Sequence, residues 1–283
     1  MRLIFLGTGT SAGVPAIGCD CRVCTSTDPR DQRLRTSAAI TWTDAQGQDR
    51  VVLIDAGPDL RQQALRAGLR RCDAIVFTHN HVDHTFGLDE VRRFNAVQRE
   101  PIPIYAEPHT LTHLRRVYTH IFEREKNVND SFVAHLTAHT IEERDVREGR
   151  ALSLFGARFT PIRGLHGRLP VLGFRVEPDT ELAAAIAARG EHAPSFPLAY
   201  VTDISALPPE SYPRLRGLRT LVLDALRHRA HPTHLSIDQA LTIAGNVDAA
   251  TTYFVHMAHE IAHAEVEDEL PEGVHLAYDG LTI

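Results

Sequence analysis

Thr78-His79-Asn80-His81-Val82-Asp83-His84 follows a short apolar run, Asp73 to Phe77 (DAIVF), whose length and residue types predict a buried strand. After it, apolar residues recur at Phe86, Leu88, Val91 and Phe94, a spacing that predicts an amphipathic helix. Three imidazoles and a carboxylate thus share one tight strand-to-helix turn and can face a common space. Imidazole nitrogen and carboxylate oxygen together suit zinc, manganese or iron better than calcium or magnesium. The bland account, four solvated polar residues at a helix start, gives no reason for so many imidazoles in one turn.

The rest of the chain bounds what such a site can serve. With 283 residues, 43% hydrophobic and 23% charged, it can bury one large core or two modest ones. No apolar run approaches the roughly 18 residues of a membrane span, and a strand pattern, Arg2 to Leu6, stands at the start where a signal peptide would lie. A cytoplasmic location and no membrane partner are the expectation. The net charge of -6 offers no general attraction for nucleic acid. Lys126 is the one lysine among 30 basic residues, so the arginines reflect codon bias as much as phosphate recognition. Arg35, Arg92, Arg93 and Arg168 are phosphate candidates by position only.

Upstream of the motif, the strand Arg2 to Gly7 leads into a glycine-rich loop through Gly9, Gly13 and Gly18 with no helix straight after it, which fits neither a dinucleotide fingerprint nor a P-loop. The loop reads equally as a connector or as an approach to a site. It contains Cys19-Asp20-Cys21-Arg22-Val23-Cys24, a C-x-C-x2-C arrangement that can share one tetrahedral metal or remain three reduced thiols. The fourth ligand is not local, and Cys72 suits a core position better. Thr36 to Thr43 and Arg50 to Ile54 predict paired strands, and Asp55 at the second one's end either orients a metal-bound histidine or caps the following helix.

Downstream, Ile102 to Tyr105 predicts a strand, Pro108 to about Glu125 a basic helical stretch, and Asn127 to Glu148 no clear period. That middle segment is either a lid over the site or a surface insertion. Strands at Ala151 to Phe155 and Arg158 to Arg163 lead to His166 between glycines, a poor core position and a good ligand position. After Val171 to Glu177 and the alanine-rich helix Glu181 to Arg189, the strand Leu198 to Val201 ends at Asp203, placed as a carboxylate bridging two metals would be. The strand Leu221 to Asp224 precedes a loop with His228, His231 and His234, and Ser236 caps a helix from Ile237 to Asn246. The strand Thr251 to Val255 delivers His256 and His259, and Val274 to Tyr278 closes the chain. Alternating strands and helices with polar residues at strand ends predict a layered α/β protein with its site on one sheet edge.

His79, His81, Asp83, His84, His166, Asp203 and His256, in that order, resemble the ligand set of the metallo-β-lactamase superfamily. The resemblance covers nearly the whole chain and implies an αββα sandwich with a binuclear centre, one metal on His79, His81 and His166, the other on Asp83, His84 and His256, with Asp203 between them. An aspartate bridge is similar to the phosphoesterase branch. The cysteine block, with Leu53-Ile54-Asp55-Ala56-Gly57 and Tyr278-Asp279-Gly280, resembles the cyclic phosphodiesterase family of the carbon-phosphorus lyase pathway, which opens 5-phosphoribosyl 1,2-cyclic phosphate. That likeness implies a structural zinc on Cys19, Cys21, Cys24 and His259, and His234 as the general acid of the hydrolysis.

The expectation is therefore one domain over 1-283, with a zinc loop at about 18-25 and insertions near 110-148 and 179-197 that depart from the family pattern. Its cofactors would be two divalent ions, manganese or zinc with iron open, and one structural zinc. Its partner would be a small phosphodiester, with a homodimer left open and nucleic acid disfavoured. The nuclease of tRNA 3′-end processing, the pyrroloquinoline quinone biosynthesis member and a non-catalytic metal-stabilised module are the alternatives.

Overall fold

A strand covered on both faces must be apolar on both, and the continuous runs at Leu3 to Leu6, Val51 to Ile54 and Leu221 to Leu223 meet that condition. The computed structural model, which describes residues 1–128 and 132–283, places them in two mixed sheets. The first runs in chain order: β1 (Arg2–Gly7), β2 (Ser37–Thr43), β3 (Asp49–Ile54), β4 (Ala74–Val76), β5 (Ile102–Ala106) and β6 (Leu136–Thr140). The second holds β7 (Leu152–Leu154), β8 (Ala157–His166), β9 (Leu169–Pro178), β10 (Leu198–Val201), β11 (Thr220–Asp224), β12 (Thr251–Val255) and β13 (Val274–Leu276) side by side.

Side-chain alternation sorts the core into layers. On β3, Val52 and Ile54 join the cluster between the sheets, while Val51 and Leu53 join the one beneath the outer helices. On β11, Val222 faces inward, and Leu221 and Leu223 face the opposite outer layer. The first outer layer is formed by α1 (Leu60–Arg66), a single turn α2 (Val82–Thr85), α3 (Arg92–Gln98), α4 (Pro108–Val117) and α5 (Thr119–Phe122). Two helices, α6 (Glu143–Glu148) and α7 (Thr180–Ala188), send Val146, Leu182 and Ile186 into the inter-sheet core. The second outer layer is α8 (Ile237–Val247) and α9 (His263–Glu269). Helix, sheet, sheet, helix is the αββα sandwich expected. Burial of Phe5, Phe159 and Phe174 between the sheets contributes about 1.5–3 kcal/mol each, which locks the layers together.

Four local expectations need correction. The helical stretch from Pro108 to Glu125 breaks at Tyr118, whose buried ring turns inward so that its hydroxyl donates to the Thr85 carbonyl at 3.0 Å. The segment from Asn127 to Glu148, read as aperiodic, contains β6 and α6. As the outermost strand of its sheet β6 is half exposed, so its residues show no apolar alternation, and residues 129–131 of that insertion lie outside the described residues. His166 is the last residue of β8 and not part of a loop beyond it. Gly164 does not end the strand; it makes room for Ile204, whose Cγ2 would lie 2.5 Å from a Cβ there. Finally, the helix predicted from Phe86 is interrupted. A Cβ on Gly87 would meet the Gly57 carbonyl oxygen at 1.9 Å, so the chain is pinned there, α2 stops, and Phe86 points outward while Leu88, Val91 and Phe94 are buried.

Parallel pairing of β3 with β4 and of β10, β11 and β12 aligns their carboxyl ends along one edge. Such an edge is where ligands bind in open α/β sheets.

Candidate metal centre

That edge gathers the polar residues that follow the strands. Asp55 follows β3, Thr78 and His79 follow β4, Asp203 follows β10, Asp224 ends β11 and His256 follows β12. Asp55, Asp203 and His256 all have left-handed backbones, with φ of 65°, 54° and 62°. A non-glycine residue held there costs on the order of 1–3 kcal/mol, and such strain collects at functional sites.

The structure brings every expected metal ligand into one of three groups. Ligand atoms of His79, His81, His166 and Asp203 lie within 4.8 Å of one another, and so do those of Asp83, His84, Asp203 and His256. Asp203 belongs to both. Its Oδ1 is 3.2 Å from His84 Nε2 and 3.0 Å from His256 Nδ1, and its Oδ2 is 3.9 Å from His79 Nε2. Those three ring nitrogens are buried and make no hydrogen bond, whereas buried polar atoms are ordinarily paired. The donor set and the unpaired nitrogens fit divalent cations, which the fold family implies.

Neighbouring groups fix the proton on three of the rings. Thr78 donates its N–H to Asp55 Oδ1 and its hydroxyl to Asp55 Oδ2, both at 2.8 Å. With its proton so committed, the Thr78 hydroxyl accepts from His79 Nδ1 at 3.0 Å. His84 Nδ1 donates to Asp55 Oδ2 at 2.7 Å, and His166 Nδ1 donates to the Thr233 carbonyl at 2.7 Å. With Nδ1 so committed, all three rings turn Nε2 toward the centre. Both Asp55 carboxylate oxygens are spent on Thr78 and His84, and the N-cap position of α1 is Asp59, so of its two expected roles Asp55 fits that of orienting a histidine and does not cap the helix.

Charge is balanced within the cluster. Burial would push the Asp203 carboxyl up, but His256 and His84 hold it well below the usual carboxylate range. Burial likewise pulls His84 down, and Asp203 and Asp83 more than reverse it. His256, chiefly through burial, falls to about 4.

His234 is the histidine of its loop that reaches the site. It lines the same cavity of about 410 Å³ as His81, His166, Asp203 and His256, with its ring stacked 4.7 Å from that of His256. Its Nδ1 donates to Asp224 Oδ2 at 3.0 Å, and that oxygen also accepts from the Ile204 N–H, next to Asp203. His231 and His228 do not line the cavity, nor do Arg35, Arg92, Arg93 and Arg168. Asp224 went unrecognised as a site residue, although it ends an apolar strand exactly as Asp203 follows one. The glycine-rich loop does approach the site: Ser11 lines the cavity and Thr10 Oγ1 lies 3.3 Å from His256 Nε2. Among the described residues, the middle segment contributes one wall residue, His113.

The third group is separate. His259 Nδ1 lies 3.1, 3.4 and 3.6 Å from the sulfurs of Cys19, Cys21 and Cys24. A tetrahedral zinc with Zn–S near 2.3 Å and Zn–N near 2.0 Å needs its ligands roughly 3.5 Å apart, so the set fits that ion. The Cys21 thiol is brought down to about 6, first by the Cys24 N–H that it accepts. Cys72 is buried in the core beneath the outer helices of the first sheet. Arg33, also unrecognised in the sequence, is fully buried and donates to the carbonyls of Ala258 and Ile261, on either side of His259.

A family model described as a beta-lactamase superfamily domain matches residues 50–257. An octanoyltransferase of Porphyromonas gingivalis is 35% identical over 283 residues, 99% of this chain, and the chain spans about half (51%) of that relative's length. A coenzyme PQQ synthesis protein B of Methylobacterium nodulans is 27% identical over 240 residues, 79% of this chain and 72% of that one. A solved structure described as a new diphosphatase from the PhnP family aligns with a TM-score of 0.83 and 40% identity, over 100% of this chain and 97% of that chain. No helix among the described residues is long and apolar enough to cross a membrane.

Proposed function

The chain belongs to the beta-lactamase superfamily, and from that premise we propose that it is a metal-dependent hydrolase of a small phosphodiester, with 5-phosphoribosyl 1,2-cyclic phosphate as the first candidate. One observation carries the reading: Asp203 is shared by two ligand groups, beside a cavity walled by a histidine that is not in either. The proposed ligands are His79, His81 and His166 for one ion, Asp83, His84 and His256 for the other, and Asp203 for both. Manganese, zinc or iron bound there would supply Lewis-acid activation of water and neutralise phosphoryl oxygens.

The chain's own residues do the rest. Asp55 and Thr78 hold two of the imidazoles in the tautomer that leaves Nε2 free. The Thr233 carbonyl does the same for His166, and the next residue, His234, is the proposed general acid. With Nδ1 committed to Asp224, its Nε2 is the nitrogen able to hand a proton to the departing alkoxide. Products are a phosphomonoester and a free hydroxyl.

A second reading follows from the 40% identical structure described as a diphosphatase: the substrate would be a phosphoric anhydride. Phosphorus NMR of the manganese-loaded protein with the cyclic ester, an organic diphosphate and an aryl phosphodiester distinguishes the two. The cyclic ester should open to one monoester. Cleavage of the diphosphate alone would replace the first reading with the second, and cleavage of none would remove both.

Asp55→Asn should weaken metal binding by about 10- to 100-fold in calorimetric titration. The amide NH₂ would face His84 Nδ1 and drive its proton onto Nε2. An unchanged affinity would show that Asp55 does not set that tautomer. At the proposed structural zinc on Cys19, Cys21, Cys24 and His259, Cys21→Ser should cost one zinc per chain and lower the melting temperature while the other two sites still fill. Full zinc content in that variant would show that the cysteines hold no ion.

A further inference from the structure

The cavity beside the proposed ligands has a neighbour. Ser11 lines the cavity, and the next residue, Ala12, lines a groove of about 390 Å³ together with Gly13, Arg35, Asp59 and Arg66. A tight turn makes this partition: Gly13 donates its N–H to the Thr10 carbonyl at 2.8 Å, with a φ of 66° that glycine adopts without strain. The turn is anchored at both ends, by the Thr10 N–H on the Met257 carbonyl at 3.0 Å and by the Val14 N–H on the Arg33 carbonyl at 2.9 Å. The N–H groups of Ser11 and Ala12 donate to no backbone carbonyl among the described residues.

Arg35 braces the same turn. Its Nε donates to the Ser11 carbonyl at 3.0 Å and its Nη1 to Asp59 Oδ1 at 2.9 Å, while Nη2 makes no hydrogen bond among the described residues. The side chain is 30% exposed where it lines the groove. Arg66 adds a second cation whose own partner, Asp279, does not line the groove, and Asp59 is the one carboxylate that does among the described residues. Arg33 also lines it, but its guanidinium is spent on Asp31 and on the carbonyls of Ala258 and Ile261.

We infer that this groove is a subsite for a second anionic group of the substrate, a phosphate joined to the reacting one through a sugar-sized spacer, and that Arg35 selects for it. The inference rests on the phosphoester reading and says where the far end of such a substrate lies. A guanidinium held rigid by Asp59 and Ser11, with one nitrogen still free, suits phosphate, whose oxygens match its planar donors. Ser11 and Ala12 are consecutive, with Cα atoms about 3.8 Å apart, so a ligand needs a spacer no larger than a sugar to touch both walls.

The test compares 5-phosphoribosyl 1,2-cyclic phosphate with ribose 1,2-cyclic phosphate, which lacks the second phosphate, on the manganese-loaded protein. Arg35→Met should raise KM for the phosphorylated ester about tenfold more than for the other, with little change in kcat, and Arg35→Lys should restore part of the difference. Gln62→Glu guards against a folding defect: Gln62 is an exposed groove residue, and a carboxylate there should act in the same direction with the Arg35 bonds intact. Calorimetric titration of ribose 5-phosphate into the same proteins should show binding to the wild type that weakens in Arg35→Met and Gln62→Glu. Equal KM effects on the two esters, or equal affinity for ribose 5-phosphate in wild type and variants, would overturn the subsite. If the wild type cleaves neither ester, the phosphoester reading fails by itself, and the titration alone decides whether the groove holds a phosphate.

Discussion

Alanine at position 203 is expected to empty both proposed catalytic metal positions and to lower turnover by roughly 10³-fold or more. The carboxylate stands between three buried nitrogens, His79 Nε2, His84 Nε2 and His256 Nδ1, that have no hydrogen bond of their own. Without it, two groups of ligands lose their common member and the cluster loses the anion that offsets the burial of His84. Asp203→Asn separates charge from fold, since asparagine tolerates the φ of 54° that alanine strains. Metal analysis and melting curves with and without manganese check the result. Wild-type melting should rise with manganese and that of both variants should not. Two ions per chain retained by either variant would contradict the bridging role.

His234→Ala is expected to keep its metals and lose about 10²- to 10⁴-fold in kcat on an ester with an alkoxide leaving group. Burial pulls the His234 pKa down, but the Asp224 hydrogen bond and charge raise it overall. A general acid must carry its proton, so the rate should fall as pH rises through that raised value. Asp224→Asn removes the charge that holds the proton, and should move this alkaline limb to lower pH. Because Asp224 also accepts from the Ile204 N–H beside Asp203, metal content has to be measured on the same sample. A kcat unaffected by His234→Ala would remove the residue from the reaction. His231, 5.2 Å away ring to ring, is not a ready substitute, because its Nδ1 faces Thr233 and it lies off the cavity.

Much of this was legible in the residues. Central strands such as Arg50 to Ile54 and Leu221 to Asp224 announce themselves because burial on both faces demands unbroken apolar runs. The proposed ligands were legible because imidazoles and carboxylates recur directly after those runs. What escaped was set by contacts distant in sequence. Gly164 looked like a strand end until Ile204 occupied the space above it. Tyr118 breaks a helix because Thr85 offers a carbonyl. Phe86 matches an apolar period yet faces outward, since Gly57 pins the chain at Gly87. Asp224 carried the strand-end signal but showed no partner until the loop folded His234 onto it.

The most direct test of the central proposal, that the chain is a metal-dependent hydrolase that sends water to phosphorus, is hydrolysis of the cyclic ester in heavy-oxygen water followed by phosphorus NMR. One monoester should appear, carrying a single heavy oxygen on phosphorus, and only when a divalent ion is supplied. A product without that label, or no metal-dependent product from any phosphoric ester or anhydride, would contradict it.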